Sequence, residues 1–211
     1  MLDHAQGGLV FVSIRPRGFS LVELMVTIAI LSLLLLAAVP SFGSWLANSR
    51  VRSVAEEIAN GLRMAQSEAV RRNRPVAFVV TNSTPAKGAT PATNGKNWYV
   101  QALPLSSSGD AVADLDYVQG GNYASQSGVT INSTASVVCF GSMGNVVTSV
   151  ATAHAALNEN CSAAGDKTYT VSSTNSDRSL KVKVGVGGQV RMCDPTKTLD
   201  ATHPDGCEAS S

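Results

Sequence analysis

The most constraining feature of this 211-residue chain is an apolar segment near its start. Residues 19–39 are apolar or small at all 21 positions except one, where the carboxylate of Glu23 stands. A helix rises about 1.5 Å per residue, so this segment would be about 30 Å long, close to the thickness of a bilayer core. Arg15 and Arg17 precede it, which favours a cytoplasmic N-terminal side. The sequence therefore predicts a membrane-spanning helix.

Two other interpretations compete for this segment. A cleaved secretory signal would have an apolar core of about 7 to 15 residues and a small-x-small cleavage site. The segment is longer than that, and "LLAAVPSFG" fits such a site poorly. A plain membrane anchor would leave Glu23 unexplained, because a carboxylate at mid-bilayer costs on the order of 2.5 kcal/mol or more and usually has a partner.

The octapeptide "RGFSLVEL" resembles the processing motif of type IV pilins and pseudopilins. Gly18 is followed by an aromatic residue, a glutamate stands five positions after the glycine, and about twenty apolar residues lead to Pro40. The resemblance implies that residues 1–18 are a leader peptide. It also implies that a prepilin peptidase cleaves between Gly18 and Phe19 on the cytoplasmic face and N-methylates Phe19.

The same resemblance implies roles for Glu23 and Pro40. Glu23 would pair with the positively charged terminal amine of a neighbouring subunit during filament assembly. Two buried charges are costly apart and tolerable together, so such a pair sets register more than it adds stability. Pro40 would kink the first helix, since a proline inside a helix removes one backbone hydrogen bond.

The helical pattern continues beyond the proline. Apolar residues recur at steps of three and four, which places them on one face of a helix. These residues are Val51, Val54, Ala55, Ile58, Leu62, Ala65 and Ala69. Glu68 and Arg72 form a favourable i, i+4 pair, and Pro75 ends the pattern.

We therefore predict one helix over about residues 19–72. Its first part, residues 19–40, is expected in the membrane or the filament core. Its second part, residues 41–74, is amphipathic and is expected to pack against a domain. The stretch "MAQSEAVRRNRPVAFVV" ends this helix directly before a strand and resembles the GspH/FimT branch of the pseudopilins. With the N-terminal motif, the resemblance covers residues 15–80, and it implies a sheet domain carried on the second part of the helix.

After Pro75 the sequence changes to short apolar or alternating runs separated by Gly, Ser, Thr, Asn and Pro. Strands are predicted at residues 76–80, 97–103, 128–132, 136–140, within 141–147, 168–173, 179–186 and 188–194. Trp98 is a predicted core residue. Many short strands at this spacing favour an antiparallel β-sandwich. The predicted fold class is α+β: a long N-terminal helix packed on an antiparallel β-sandwich domain, residues 75–211.

Four cysteines lie in the part predicted to be outside the cytoplasm, where disulfides persist. They allow three pairings. We favour pairing of sequence neighbours, Cys139–Cys161 and Cys193–Cys207, because the second bond would hold a tail that contains Pro and Gly. Zinc is the alternative, but the chain has no C-x-x-C and only His203 nearby, which argues against a metal site.

No motif for catalysis is evident. G-x-S-x-G and H-E-x-x-H are absent, and the three histidines lie in no nucleophile-like context. The stretch "GVGGQV", residues 185–190, has Val190 where a dinucleotide loop has glycine, so a tight turn or bulge is the better interpretation. We predict neither an enzymatic activity nor a cofactor.

Four basic residues, Arg178, Lys181, Lys183 and Arg191, occur with no acidic residue among them, and Lys181 and Lys183 share one strand face. In FimT-like members a C-terminal G-R-x-R motif is associated with DNA capture. Here the stretch is "GQVR", in which Gln189 replaces the first arginine and only Arg191 carries over. Each lost phosphate contact weakens binding, so DNA is a candidate partner and a solvated strand face is the alternative.

The formal net charge is +1. Without residues 1–18, acidic and basic residues are equal in number, so any binding to nucleic acid or anionic lipid would need a local patch. The resemblance implies a FimT-like minor type IV pilin that is incorporated into a pilus or primes its assembly. The alternative is a GspH-like minor pseudopilin of a type II secretion system.

The expected location is the bacterial inner membrane, with the N-terminus cytoplasmic and the C-terminal domain periplasmic, and later the pilus or pseudopilus. The expected partners are the prepilin peptidase, other major and minor pilins or pseudopilins, and the inner-membrane assembly platform.

Overall fold

The computed structural model describes residues 18–104, 117–122, 128–148, 150, 157, 160–162 and 165–208, without the side chains of residues 37–41. Helix α1 spans Leu21–Arg72. The strands that follow are β1 (Val76–Thr81), β2 (Asn97–Ala102), β3 (Tyr117–Asn122), β4 (Val129–Ser133), β5 (Val137–Phe140), β6 (Val146–Val147), β7 (Lys167–Ser173), β8 (Leu180–Val184), β9 (Val190–Thr198) and β10 (Gly206–Cys207).

The chain divides into two compact units, Met1–Ser41 and Phe42–Ser211. In the first unit, two hydroxyl side chains of α1 bond to the backbone of the helix itself. The hydroxyl of Thr27 donates to the carbonyl of Leu24, and that of Ser32 donates to the carbonyl of Ile28, both at 2.8 Å. Such bonds to the preceding turn satisfy these two hydroxyls without an outside partner. Among the helices of the described residues, none meets the length and apolarity needed to cross a membrane.

In the second unit, α1 buries one face. The seven apolar positions that the sequence pattern placed on one side are all buried, as predicted: Val51, Val54, Ala55, Ile58, Leu62, Ala65 and Ala69. The helix ends at Arg72, and Asn73 follows with a φ of 49°. Asparagine is one of the few residues other than glycine that adopts this left-handed conformation readily. The chain then leaves the helix axis and enters β1.

The first sheet has the order β3-β2-β1-β5-β6, and its neighbouring strands are antiparallel. All six residues of β1 are buried, because the sheet is covered on both sides. A strand buried on both faces needs a continuous apolar run, which explains the sequence "VAFVV". On the side that faces α1, Trp98 is 3% exposed and stacks on Phe78 with ring centroids 5.6 Å apart.

The second sheet has the order β10-β9-β8-β7-β4. Its strands are antiparallel except β10, which pairs with β9 in parallel. Tyr169, Val171, Val182 and Val184 point inward, and the intervening residues of β7 and β8 are only partly buried. This alternation is typical of a sheet with one core face and one solvated face. Strands β7, β8 and β9 overlap the strands predicted at 168–173, 179–186 and 188–194, and each pairs with the next along the chain.

One hydrophobic core joins α1 and both sheets. Phe78 of the first sheet meets Tyr169 of the second edge to face, with centroids 5.8 Å apart, beneath the buried face of the helix. The second unit is therefore a helix packed on antiparallel sheets, and the predicted α+β class is confirmed. Strands β3 and β10 were not predicted.

The structure contains two disulfides, Cys139–Cys161 and Cys193–Cys207, which is the pairing favoured from the sequence. The first joins β5 to residues 160–162, where Ser162 donates its backbone N–H to the carbonyl of Val137. The second joins β9 to β10. Each disulfide therefore fastens a segment with little secondary structure to one of the two sheets.

Candidate functional sites

The predicted processing site lies directly before α1. Gly18 and Phe19 precede the first helical residue, and Phe19 is 83% exposed. A Cβ atom added at Gly18 would meet no described atom within 4 Å, so the fold itself gives no steric reason for glycine here. Glu23 is exposed in the first turn, where the helix dipole favours a negative charge. Residues 1–17 of the predicted leader lie outside the described residues.

The helix that follows presents apolar side chains on every side over residues 21–36, interrupted only by the polar residues Glu23, Thr27 and Ser32. We call this stretch the first half of α1. Twelve of its large apolar side chains are more than half exposed: Leu21, Val22, Leu24, Met25, Val26, Ile28, Ile30, Leu31, Leu33, Leu34, Leu35 and Leu36. A helix without a polar face needs an apolar environment all round. The described part of the chain leaves these side chains uncovered.

A kink was predicted at Pro40. This residue lies inside α1, and its side chain is not among those that the structure describes. The bend stays a prediction.

The four predicted basic residues lie on or beside the outer face of the second sheet. Lys181 and Lys183 alternate with the inward Val182 on β8, so they share the outer face, as predicted. Arg191 of β9 stands directly opposite Lys183. Arg178 lies just before β8. The fold therefore brings Lys181, Lys183 and Arg191 to one surface.

Acidic residues from other segments of the chain reach these cations, which the basic stretch itself does not indicate. Arg178 pairs with Asp194 at 2.8 Å, and Arg191 pairs with Glu208 at 2.9 Å. Lys183 lies between Asp166, at 3.7 Å, and Glu208, at 3.6 Å. Within the described residues, three of the four basic side chains thus lie within 4 Å of a carboxylate. The net positive charge of the surface is much lower than the stretch of residues 178–191 suggests.

Asp194 is the least exposed of these carboxylates. It is buried and accepts hydrogen bonds from the backbone and hydroxyl of Thr196, at 3.0 and 2.6 Å, and from Arg178. Burial opposes its ionisation, but the bonds from Thr196 and Arg178 outweigh this effect and lower the pKa of the carboxyl. Arg178 is therefore held by a buried, charged partner, although about half of its own side chain is exposed.

No group of three or more His, Cys, Asp or Glu side chains suited to a metal ion occurs within the described residues. All four cysteines are engaged in the two disulfides.

Two family models match the sequence. The model described as type II transport protein GspH matches residues 54–188, and the model described as the prokaryotic N-terminal methylation motif matches residues 15–39. No curated protein sequence matches the chain.

Several solved structures resemble this one at low identity. The type IV minor pilin FimU of Pseudomonas aeruginosa is 16% identical, with a TM-score of 0.47 over 71% of this chain and 95% of that chain. The minor pseudopilin EpsH of the Vibrio cholerae type 2 secretion system is 11% identical, with a TM-score of 0.44 over 70% of this chain and 99% of that one. GspH of E. coli is 12% identical, with a TM-score of 0.42 over 71% and 91%.

The GspH model covers well over half of the chain, from the buried half of α1 through β8, and the methylation-motif model covers the apolar segment before it. The chain therefore belongs to the GspH family of minor pilins and pseudopilins.

Proposed function

We propose that this protein is a FimT-like minor type IV pilin, cleaved between Gly18 and Phe19 by a prepilin peptidase and then incorporated into a pilus or used to prime one. Members of its family are structural proteins, not enzymes. One observation carries the proposal: the first half of α1 presents apolar side chains on every side and follows directly on an open Gly18–Phe19 step. A chain that exposes so much apolar surface needs lipid or other subunits to cover it.

The apolar part of the helix would be covered first by lipid and later by other subunits. Residues 19–40 would first lie in the inner membrane, with the C-terminal domain in the periplasm. The assembly platform would then transfer them into the filament, where the same apolar side chains pack against other pilins. Pro40 would bend the helix between its two halves.

Glu23 would act at the second step. Its carboxylate would receive the N-methylated amine of Phe19 of a neighbouring subunit, and each charge would compensate the other in an apolar interior. Since a buried unpaired charge is costly, a subunit docked out of register would be rejected. Glu23 would therefore select the correct axial position of the subunit.

Intact-mass analysis tests the cleavage. The protein is produced in a host with and without a prepilin peptidase. We expect the enzyme to shorten it to a chain that begins at Phe19 and carries one methyl group. A Gly18→Val variant should keep its leader, because the position is open in this fold and only the peptidase requires glycine there. Native protein that keeps residues 1–18 while a control pilin is cleaved would refute the proposal.

A second candidate is a GspH-like minor pseudopilin of a type II secretion system. The match of residues 54–188 to the type II transport protein GspH favours it. Both functions use Gly18, Phe19 and Glu23 in the same way, so the mature terminus cannot separate them. Deletion of the gene separates them. Loss of surface pili with normal export of type II substrates supports the minor pilin, and loss of export with normal pili supports the pseudopilin.

We also propose a weak contact with DNA through the outer face of the second sheet. Lys181, Lys183 and Arg191 share this face, which supports the contact, while the ion pairs of Lys183 and Arg191 limit its strength. Binding of the full chain in a non-ionic detergent should fall steeply between low and near-physiological salt. Arg191→Ala and the double variant Lys181→Ala/Lys183→Ala should weaken it. No binding at low salt would contradict the proposal.

A further inference from the structure

Two cations face each other on the outer face of the second sheet. Lys183 of β8 and Arg191 of β9 are directly opposed in an antiparallel pair. Side chains in such positions are about 5 Å apart at Cβ, and like charges there are destabilising. Lys183 and Arg191, which we call the cation pair, therefore require an anion between or beside them.

Glu208 supplies an anion that both cations share, and Asp166 adds a second carboxylate 3.7 Å from Nζ of Lys183. One oxygen of the Glu208 carboxylate accepts a hydrogen bond from Nη1 of Arg191 at 2.9 Å, and the other lies 3.6 Å from Nζ of Lys183. The carboxylate thus uses a separate oxygen for each cation. This is the arrangement that a bound oxyanion adopts between two basic side chains.

The tail that carries Glu208 is fastened immediately before it. Cys207 is bonded to Cys193, which lies two positions after Arg191 on the same strand. The carbonyl of Cys207 accepts a backbone hydrogen bond from Leu199 at 2.9 Å, and the carbonyl of Asp205 accepts one from Asp194 at 2.8 Å. The position of Glu208 over the cation pair is therefore set by a covalent bond and a short parallel strand pairing.

The cation pair borders a groove of about 320 Å³, to which Glu208, Asp166 and the β8–β9 turn also contribute. The turn packs closely on its other side: Gly188 has a φ of +84°, and a Cβ there would clash with the carbonyl oxygen of Gly144. This volume lies in the range of small-ligand sites. The groove has room for a larger oxyanion than the single carboxylate now beside it.

We propose that the Lys183–Arg191 cation pair is a phosphate-binding site that the chain keeps closed with Glu208. The phosphate could be free or part of a nucleic-acid backbone, and the second source rests on the DNA contact proposed above. Glu208 acts as a tethered competitor, and the Cys193–Cys207 bond holds it in place.

The strength of this closure can be bounded. Glu208 and Arg191 are each about half exposed, so their direct attraction is modest. A short tether gives the carboxylate an effective concentration on the order of millimolar. A free phosphate at lower concentration would not displace it, whereas a polyanion that makes several contacts would.

The test uses the full chain in a non-ionic detergent and the variant Glu208→Gln, which keeps the side-chain shape and removes the charge. Glu56→Gln is the matched control, since it removes one exposed, ion-paired carboxylate from α1. The probes are a dye-labelled oligothymidylate, followed by fluorescence anisotropy, and inorganic phosphate, followed by the NMR shifts of the Lys183 and Arg191 amides.

We expect Glu208→Gln to bind the oligonucleotide about tenfold more tightly at low salt, with a salt dependence steeper by about 0.7 in log–log slope. Glu56→Gln should bind like the native chain. Phosphate should shift the two amides in Glu208→Gln at concentrations that leave the native chain unchanged. Adding Arg191→Ala to Glu208→Gln should abolish both gains.

The outcomes separate this inference from the DNA contact. Equal oligonucleotide binding by the native chain and Glu208→Gln, lost with Arg191→Ala, would overturn the closed site and leave the DNA contact standing. A phosphate response confined to Glu208→Gln, without oligonucleotide binding, would support the closed site and contradict the DNA contact. If Glu56→Gln tightened oligonucleotide binding as much as Glu208→Gln, the change in net charge alone would explain the effect, and the inference would be overturned.

Discussion

The two halves of α1 differ in where their apolar side chains go. In residues 21–36 the large apolar side chains point in all directions and are exposed, whereas in residues 47–69 they form one stripe that is buried against the two sheets. The second half of α1 thus buries its apolar side chains within the chain itself, whereas those of the first half stay exposed. Apolar periodicity distinguishes the two: a stripe indicates a partner on one side, and its absence indicates partners all round.

Each half also carries a glutamate, and the two glutamates differ in how their charge is compensated. Glu68 lies between Arg71 and Arg72, which donate to it at 2.6 to 3.0 Å. Glu23 is exposed among apolar neighbours in the first turn. The charge of Glu68 is compensated within the chain, and we propose that the charge of Glu23 is compensated by another subunit.

Removing a leucine should be far more costly in the second half of α1 than in the first. Leu62 is fully buried, so Leu62→Ala should lower the free energy of unfolding by about 2 to 5 kcal/mol through lost burial and a cavity. Leu31 is more than half exposed, and Leu31→Ala should change it by less than about 0.5 kcal/mol. Denaturant titration of the full chain in detergent, followed by near-UV circular dichroism, measures both. Similar losses for the two variants would contradict the proposed difference in burial between the two halves of α1.

Two helical glycines should respond to alanine with opposite signs. A Cβ at Gly61 would lie 2.8 Å from the ring of Phe78 and 2.9 Å from that of Trp98, so Gly61→Ala should cost about 1 to 3 kcal/mol by overpacking. Gly43 has nothing within 4 Å, and Gly43→Ala should stabilise the protein by about 0.5 to 1 kcal/mol through the better helix propensity of alanine. The same titration checks this. A stabilising Gly61→Ala would show that the helix and the first sheet are not closely packed.

The smallest effect concerns the pH dependence of Glu68. Hydrogen bonds from Arg71 and Arg72 lower the pKa of its carboxyl from 4.5 to about 2. Since the folded-state pKa is lowered, the stabilisation is present above about pH 4.5 and is lost as the pH falls towards 2. Solvent screening at this partly exposed site limits it to about 0.5 kcal/mol. Glu68→Gln should lower stability by that amount at pH 7 and by only a small fraction of it at pH 2; an equal loss at both would contradict the ion pairs.

The local patterns of the sequence predicted α1, most strands and the pairing of the cysteines, because each depends on neighbours along the chain. Strand β3 was missed because its "YVQGGN" has two glycines and looks like a loop. At Gly121 a Cβ would lie 2.2 Å from Glu57 and 2.3 Å from the indole nitrogen of Trp98, so glycine is needed for close approach. Its role depends on residues distant in sequence.

The charge balance of the outer face was missed for the same reason. Lys181 and Lys183 were correctly placed on one face from the period of a strand, whereas the place of Arg191 opposite Lys183 follows from the pairing of β8 with β9. The arrival of Glu208 depends on a disulfide and a parallel strand, neither of which leaves a mark in the basic stretch itself. Spacing predicts which residues share a face, and only the fold shows which acids come to it.

The most direct test of the account is the incorporation of two glutamate variants into filaments sheared from cells. Glu23→Ala should be processed normally yet be nearly absent from the filament fraction, because the amine of a neighbouring subunit would be left buried without a partner. Glu68→Gln, whose charge is compensated within the chain, should be incorporated like the native protein. Normal incorporation of a processed Glu23→Ala variant would contradict the claim that the first half of α1 is completed by other subunits through Glu23.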